Sequence, residues 1–226
     1  LAPHATHLLG TDAVGRDMLS RILFGYRTSL GLAVLVLSLA VPVGVSIGLF
    51  AGYRGGWTEW VLMRFTEVFL AIPSLVLALA IVGLFEPSLP MAMTAVAAAW
   101  WPWYARLVYN QTRSIRTEDY IVAARVAGAS DARIMFTEVL PVMSGTVLTK
   151  MTLDMGFVIL LGSSLGFLGL GAQPPAPDLG TMVAEGTPFL PDVWWQSVFS
   201  GLAIMIAVLG FNLVGDGLRD VLGVEA

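Results

Sequence analysis

Five long apolar runs dominate this chain, at residues 28–51, 60–85, 89–108, 147–170 and 194–214. A bilayer core is crossed by about 20 predominantly apolar residues in a helix. In lipid every backbone N–H and C=O must find its partner within the segment, so helices are the form such runs can take. The connectors are rich in turn formers: Tyr53-Arg-Gly-Gly-Trp57, Phe85-Glu-Pro-Ser-Leu-Pro90 and Gly171-Ala-Gln-Pro-Pro-Ala-Pro-Asp178. The expectation is therefore an all-α polytopic membrane protein with five transmembrane helices. Composition agrees, with 57% hydrophobic and 12% charged residues and a mean hydropathy of +0.80; soluble domains run near 45–50% and about 25%. No run has the short apolar stretch and flanks of a cleavable signal peptide. The absence of cysteine excludes disulfides and thiolate metal sites. A net charge of −4 without a basic stripe argues against nucleic acid as a partner. The chain opens on Leu1 rather than Met, so its natural start is expected to be lost, for instance by processing.

Orientation follows from the arginines. Arg106, Arg113, Arg116, Arg125 and Arg133 crowd the loop between the third and fourth runs, which makes that loop cytoplasmic. Parity adds Arg54 and Arg219 to the inside and leaves Arg16, Arg21 and Arg27 outside. The outer three are partly offset by Asp12 and Asp17. Met18, Leu19, Ile22 and Leu23 could lay residues 1–27 flat on the interface as an amphipathic lead-in, ahead of a membrane domain at 28–226. Residues 171–193 form an outer loop, stiffened at its start by Pro174, Pro175 and Pro177. Asp178, Glu185 and Asp192 give it an acidic character, and Trp194 and Trp195 would anchor its far end. It is too long for a simple helix–helix turn, which suits a contact with the incoming substrate or its carrier, or a lid over a partner.

The inner loop, residues 112–141, holds the most informative stretch, Asp119-Tyr-Ile-Val-Ala-Ala-Arg-Val-Ala-Gly-Ala-Ser-Asp-Ala-Arg-Ile-Met-Phe-Thr-Glu-Val-Leu-Pro141. Thr117 can cap a short helix with Glu118 and Asp119 in its first turn. Gly128 can close that helix in the left-handed region. Ser130 and Asp131 then start a second short helix, which Pro141 should stop. Ala123 and Ala124 offer a small-residue face, and Tyr120 and Arg125 can reach outward. Two capped helices with a rigid turn between them make a docking element.

This stretch resembles the cytoplasmic "EAA" loop of ATP-binding-cassette importer permeases, through Ala123, Ala124, Gly128, Leu140 and Pro141. The resemblance extends along the chain. The opening His7-Leu-Leu-Gly-Thr-Asp-Ala-Val-Gly-Arg-Asp-Met-Leu-Ser-Arg21, the segment Leu165-Gly-Phe-Leu-Gly-Leu-Gly-Ala-Gln-Pro-Pro175 and the closing Phe211-Asn-Leu-Val-Gly-Asp-Gly-Leu-Arg-Asp220 look like the dipeptide, oligopeptide and nickel branch, and its C-type permease. The resemblance implies a type I importer permease fold, here without the family's first helix. It also implies coupling residues at Tyr120, Ala123, Ala124, Arg125, Gly128, Ala129, Ser130, Asp131, Arg133, Leu140 and Pro141. The implied partners are a homologous permease, two ABC ATPases that bind ATP and Mg²⁺, an extracytoplasmic binding protein, and the lipid of a prokaryotic inner membrane. Val122 stands where the loop's name-giving glutamate would be, as in many peptide-branch members. The chain holds no G-x-x-x-x-G-K-[ST] loop, so it is not itself expected to be an enzyme or to carry a cofactor. Substrates would be short peptides, or nickel and other metal chelates.

Ionisable groups inside apolar runs are costly in lipid and functional by default. Arg64 and Glu67, and Lys150 and Asp154, share helix faces and can neutralise one another near the cytoplasmic ends of their spans. They serve as structural pairs, or Glu67 and Asp154 contribute to a gate or pathway. Trp100, Trp101 and Trp103 form an interfacial belt around Pro102 or an aromatic wall facing substrate. Gly162-Ser-Ser-Leu-Gly166 fits the serine-hydrolase elbow only formally, lacking strand context and a histidine base; its small residues suit helix packing. His4 and His7 alone make no metal site and suit a mobile terminus. A rival from another class, an ATP-independent secondary transporter, requires inverted repeats and broken helices around a midplane site.

Overall fold

The computed structural model describes residues 1–173 and 175–223, and among them the chain is built of helices with no β-sheet. Helix α1 spans Met18–Arg54, α2 Gly56–Leu70, α3 Ser74–Val82 and α4 Leu89–Ile115. The inner loop carries α5, Asp119–Val126, and the one-turn α6, Asp131–Arg133. A π-helical stretch, Ile134–Val139, then leads into α7, Leu140–Phe167. After α8, Leu179–Gly186, and a 3₁₀ turn at Thr187–Phe189, α9 closes the bundle at Trp194–Leu222.

Helix α1 starts ten residues before the expected first span. Asp17 caps it by accepting the Ser20 amide at 2.8 Å, and Met18 and Ile22 bury against Leu179, Met182 and Trp195. Residues 18–27 are thus its first turns, not a flat lead-in. At 1.5 Å per residue, its 37 residues reach about 55 Å, longer than a bilayer core.

Three stretches are long and apolar enough to cross a membrane alone: Met18–Arg54, Asp131–Phe167 and Trp194–Leu222. The second expected run is broken. Pro73, which has no N–H to donate, separates α2 from α3, and the two helices meet at 84°. They count as a fourth crossing only together. Helix α4, the remaining run, has alanine and tryptophan where the others carry Leu, Ile and Val, and α1 shields much of it. Apolarity and length thus give three or four crossings where five were expected.

Small residues set the closest packing. Gly44, Gly48 and Gly52 lie one turn apart on α1, and a Cβ on any of them would press into α4 at Trp101, Ala105 and Tyr109, likewise one turn apart. The rising order on both sides makes α1 and α4 parallel. Helix α7 runs back beside α4, since Gln111 meets Thr146 and Trp100 meets Asp154. Helix α9 opposes α7, with Gly156 against Val208 and Gly215 against Leu153. The formal hydrolase elbow lies inside α7, where Gly162 packs on Leu32 and Gly166 beside Asp178. The main core joins Leu32, Val36 and Leu49 to Tyr104, Val108, Val158 and Ile159.

The expected outer loop is not a stiff coil. Asp178 caps α8 by accepting the Thr181 amide at 3.0 Å, and Gly180 lies directly on the Ser163 backbone. Its acids are mostly engaged: Asp178 is buried, and burial pushes its carboxyl up against the opposing hydrogen bonds from Thr181 and Gly180. Glu185 pairs with Arg21 at 3.1 Å and Arg16 at 3.6 Å. Both arginines also pair with the buried Asp12, which accounts for two of the three arginines that break the charge rule. Burial alone would raise Asp12, but hydrogen bonds from Arg16 and Arg21 hold it below the ordinary aspartate range. The His4 segment is ordered as well: His4 and His7 bridge through their backbones, and His7 Nδ1 lies 2.8 Å from Asp17. Pro174 lies outside the described residues.

Candidate functional site

The inner loop is anchored to the end of α1 opposite α8. Ile121 is its apolar peg, fully buried with Ile134, Met135 and Val139. Helix α5 ends in a left-handed Gly128, φ +84°. The Ala129 amide donates to the Ala124 carbonyl at 3.1 Å and the Gly128 amide to that of Arg125 at 3.0 Å, the paired closure of a Schellman turn. Ala124 and Ala129 pack together on the core below. Ser130 opens the second helix by accepting the Arg133 amide at 3.4 Å.

Two local expectations change. Thr117 does not cap α5, because its hydroxyl donates back to the Ser114 carbonyl at 2.8 Å; Glu118 holds the cap position with no side-chain bond. Pro141 does not stop the second helix. It follows directly on a π-helical stretch, where the bonding shifts by one residue and its missing N–H is accommodated. The π-helical stretch before it carries the Leu140 amide to Met135, so residues 131–167 run on as one continuous helix.

Side chains clamp this element to α1. The Arg116 guanidinium donates to the Gly52 carbonyl at 2.9 Å, placing a cation on the negative end of α1. The Tyr53 hydroxyl donates to Asp131 at 3.2 Å. Arg125, expected to reach outward, instead holds its guanidinium 5.7 Å from the Tyr53 ring centre. These three contacts join the inner loop to the C-terminal end of α1.

The outward side mixes apolar with charged residues. Tyr120, Val122, Val126 and Phe136 are exposed, Val126 at 84%, and Ala123, Arg133 and Pro141 share the open side while Leu140 packs inward. Burial, with the Glu118 and Glu138 carboxylates behind it, pushes the Tyr120 hydroxyl up, so it stays neutral.

The candidate pathway residues separate. Trp100 and Asp154 come together, the indole N–H donating to the carboxylate at 3.0 Å. Lys150 pairs with Asp154 at 3.1 Å near the middle of α7, not at its end as expected. Trp101 is a packing residue against Phe65 and Phe69. Trp103 is half exposed and donates to Ser74 at 3.4 Å. Glu67 accepts Arg64 at 2.7 Å and also Arg106 at 3.0 Å, joining α2 to α4. Sequence reasoning missed Tyr104, buried beside Lys150, and the Asp12–Arg21–Glu185 network. It also missed the glycine triplet on α1, whose four-residue spacing is a readable signal.

Residues 44–223 match the family described as "Binding-protein-dependent transport system inner membrane component". The chain belongs to that family. It is 42% identical over 220 residues to the dipeptide transport system permease protein DppC of Alkalihalophilus pseudofirmus, covering 97% of this chain and 72% of the relative. It is 39% identical over 220 residues to the glutathione transport system permease protein GsiD of Pectobacterium atrosepticum, covering 97% and 73%. A crystal structure of the MetNI methionine ABC transporter superposes with a TM-score of 0.76 at 17% identity, covering 91% of this chain and 97% of that one. The fold is that of ABC importer permeases. The chain is thus a multi-pass membrane protein and a non-catalytic permease subunit of an ABC importer, a component that works with ATPase and permease partners. The secondary-transporter rival gives way to this membership, although one broken helix of the kind it required is present at Pro73.

Proposed function

We propose that this chain forms half of the translocation pathway of a short-peptide importer in a prokaryotic inner membrane. It pairs with a homologous permease as the C-type member of a heterodimer. Two ATPases bind ATP and Mg²⁺, and an extracytoplasmic binding protein delivers the peptide at the α8 end. The observation that carries this reading is the docking element: a closed two-helix unit with an exposed face of mixed apolar and charged residues, clamped through Tyr53 and Arg116 to the longest helix of the bundle. Closure of the ATPases pushes on that face, and the clamp passes the push to α1. Kinship with dipeptide and glutathione permeases supports the peptide substrate.

The test is reconstitution. Detergent-purified chain should bring down ATPase subunits, and proteoliposomes of the assembly should import a labelled dipeptide when given ATP and loaded binding protein. Mass spectrometry of the ligand carried by the binding protein identifies the substrate. Recovery without any ATPase, or a binding protein loaded only with metal chelate, contradicts this reading.

A further inference from the structure

Helices α4 and α7 share an apolar core, but a row of polar side chains also runs between them. From the docking end towards the middle of the bundle, Gln111 donates to Thr146 at 3.0 Å. The Lys150 ammonium then stands 5.4 Å from the Tyr104 ring centre, and Trp100 donates to Asp154 at 3.0 Å. The Gln111 amide oxygen is buried with no hydrogen-bond partner, and the buried Tyr104 hydroxyl lies towards Asp154. Buried polar groups on a membrane helix pair are costly and mark a functional seam.

The ion pair on this seam is lopsided. The Asp154 side chain is 4% exposed and that of Lys150 28%. Asp154 is sealed in and held by Trp100 and Lys150, with the Tyr104 hydroxyl beside it. Lys150 carries three donors, and Asp154 is its one acceptor among the described residues. An anchored cation with a spare donor on an open side recognises a visiting anion.

We propose that the α4–α7 seam lines the route of the peptide, and that Lys150 reads its C-terminal carboxylate in transit. This rests on the peptide-importer reading above. Asp154 fixes the ammonium and competes with the visitor for it, so capture is brief, as conduction requires. Trp100 and Tyr104 are positioning residues: one holds the carboxylate, the other the face of the cation.

The experiment uses the complete transporter in proteoliposomes with saturating binding protein, loaded with a dipeptide or with the same dipeptide as its C-terminal amide. The readout is the acid-to-amide ratio of import rates, compared between wild type and variants, so that selection by the binding protein cancels. Lys150→Gln should lower the ratio roughly tenfold, the scale of one charge-assisted hydrogen bond, and Lys150→Arg should keep it. Because Lys150→Gln strands a buried carboxylate, the double variant Lys150→Gln/Asp154→Asn replaces it if assembly fails, with the same loss expected. The chain has no cysteine, so the Lys150→Cys thiol can be modified after assembly by a thiosulfonate, which forms a mixed disulfide and releases a sulfinate. A cationic ethylammonium thiosulfonate should restore the ratio and an anionic ethylsulfonate should not. An unchanged ratio in the Gln variants, with import intact, overturns the role of Lys150 alone. Wild-type vesicles that import neither peptide overturn the importer reading and this assignment with it.

Discussion

Gly128 holds φ at +84° with open space around the position of a Cβ, so its constraint is backbone conformation and not crowding. Gly128→Val forces a β-branched residue into the left-handed region, at a local cost of about 1–2 kcal/mol. The variant should insert and fold, keep its bundle melting temperature, and lose ATPase stimulation by loaded binding protein. Full stimulation would show that the turn does not transmit. At the opposite end, Asp12 has a depressed pKa because Arg16 and Arg21 bind its charged form. A depressed carboxylate contributes stability that is fully present above its unfolded value, about 3.9, and is lost as pH falls through the folded value. Thermal melts of wild type and Asp12→Asn should therefore differ at neutral pH and converge below about pH 4. A gap that persists in acid would mean Asp12 acts through packing alone.

Helix pairing in this bundle rests on glycine. Gly48→Leu would drive a side chain into the backbone of α4 at Ala105 and Tyr109, and overpacking of this kind costs typically about 1–3 kcal/mol. On the same helix Gly31 has nothing near its Cβ position, so Gly31→Ala should be neutral or gain a few tenths of a kcal/mol, up to about 1, from helix propensity. Melting temperatures in detergent separate the two, and equal effects would remove the close approach from the account. The helical elements were legible because apolar length and Gly128 are local signals. Others were not, because they depend on tertiary company. Thr117 could have capped α5, but its own preceding turn claimed its hydroxyl. Pro141 would end a regular α-helix, but the π-helical stretch before it absorbs the missing N–H and the helix runs on. The break at Pro73 was hidden inside a continuous apolar run. Helix α8 is too short for periodicity to announce it and depends on Met18, Ile22 and Trp195 from distant parts of the chain. In the inner loop the turn at Gly128 and the cap at Ser130 could be read from spacing, while the packing of Ala124 inward on the core, not outward as expected, and the turn of Arg125 onto Tyr53 required knowing where α1 ends.

Across the whole molecule, α1 links two specialised ends, a charged cap at Asp12, Arg21 and Glu185 and a docking element at Tyr53 and Arg116. Leu190, half exposed beside α8, can carry a cross-linker without disturbing the charged cap at Glu185. Leu190→Cys should cross-link to the binding protein in the ATP-trapped assembly; adducts confined to the partner permease would make α8 a lid only. Residues 119–140 are proposed to engage an ATPase and pass its movement to the bundle, which a single cysteine at Ala123 can detect. In the assembled transporter, Ala123→Cys should cross-link to the ATPase over a short span, and the adduct should block ATP-driven import while leaving the bundle folded. Failure of Ala123→Cys to reach any ATPase, in an assembly that still imports, would contradict the account.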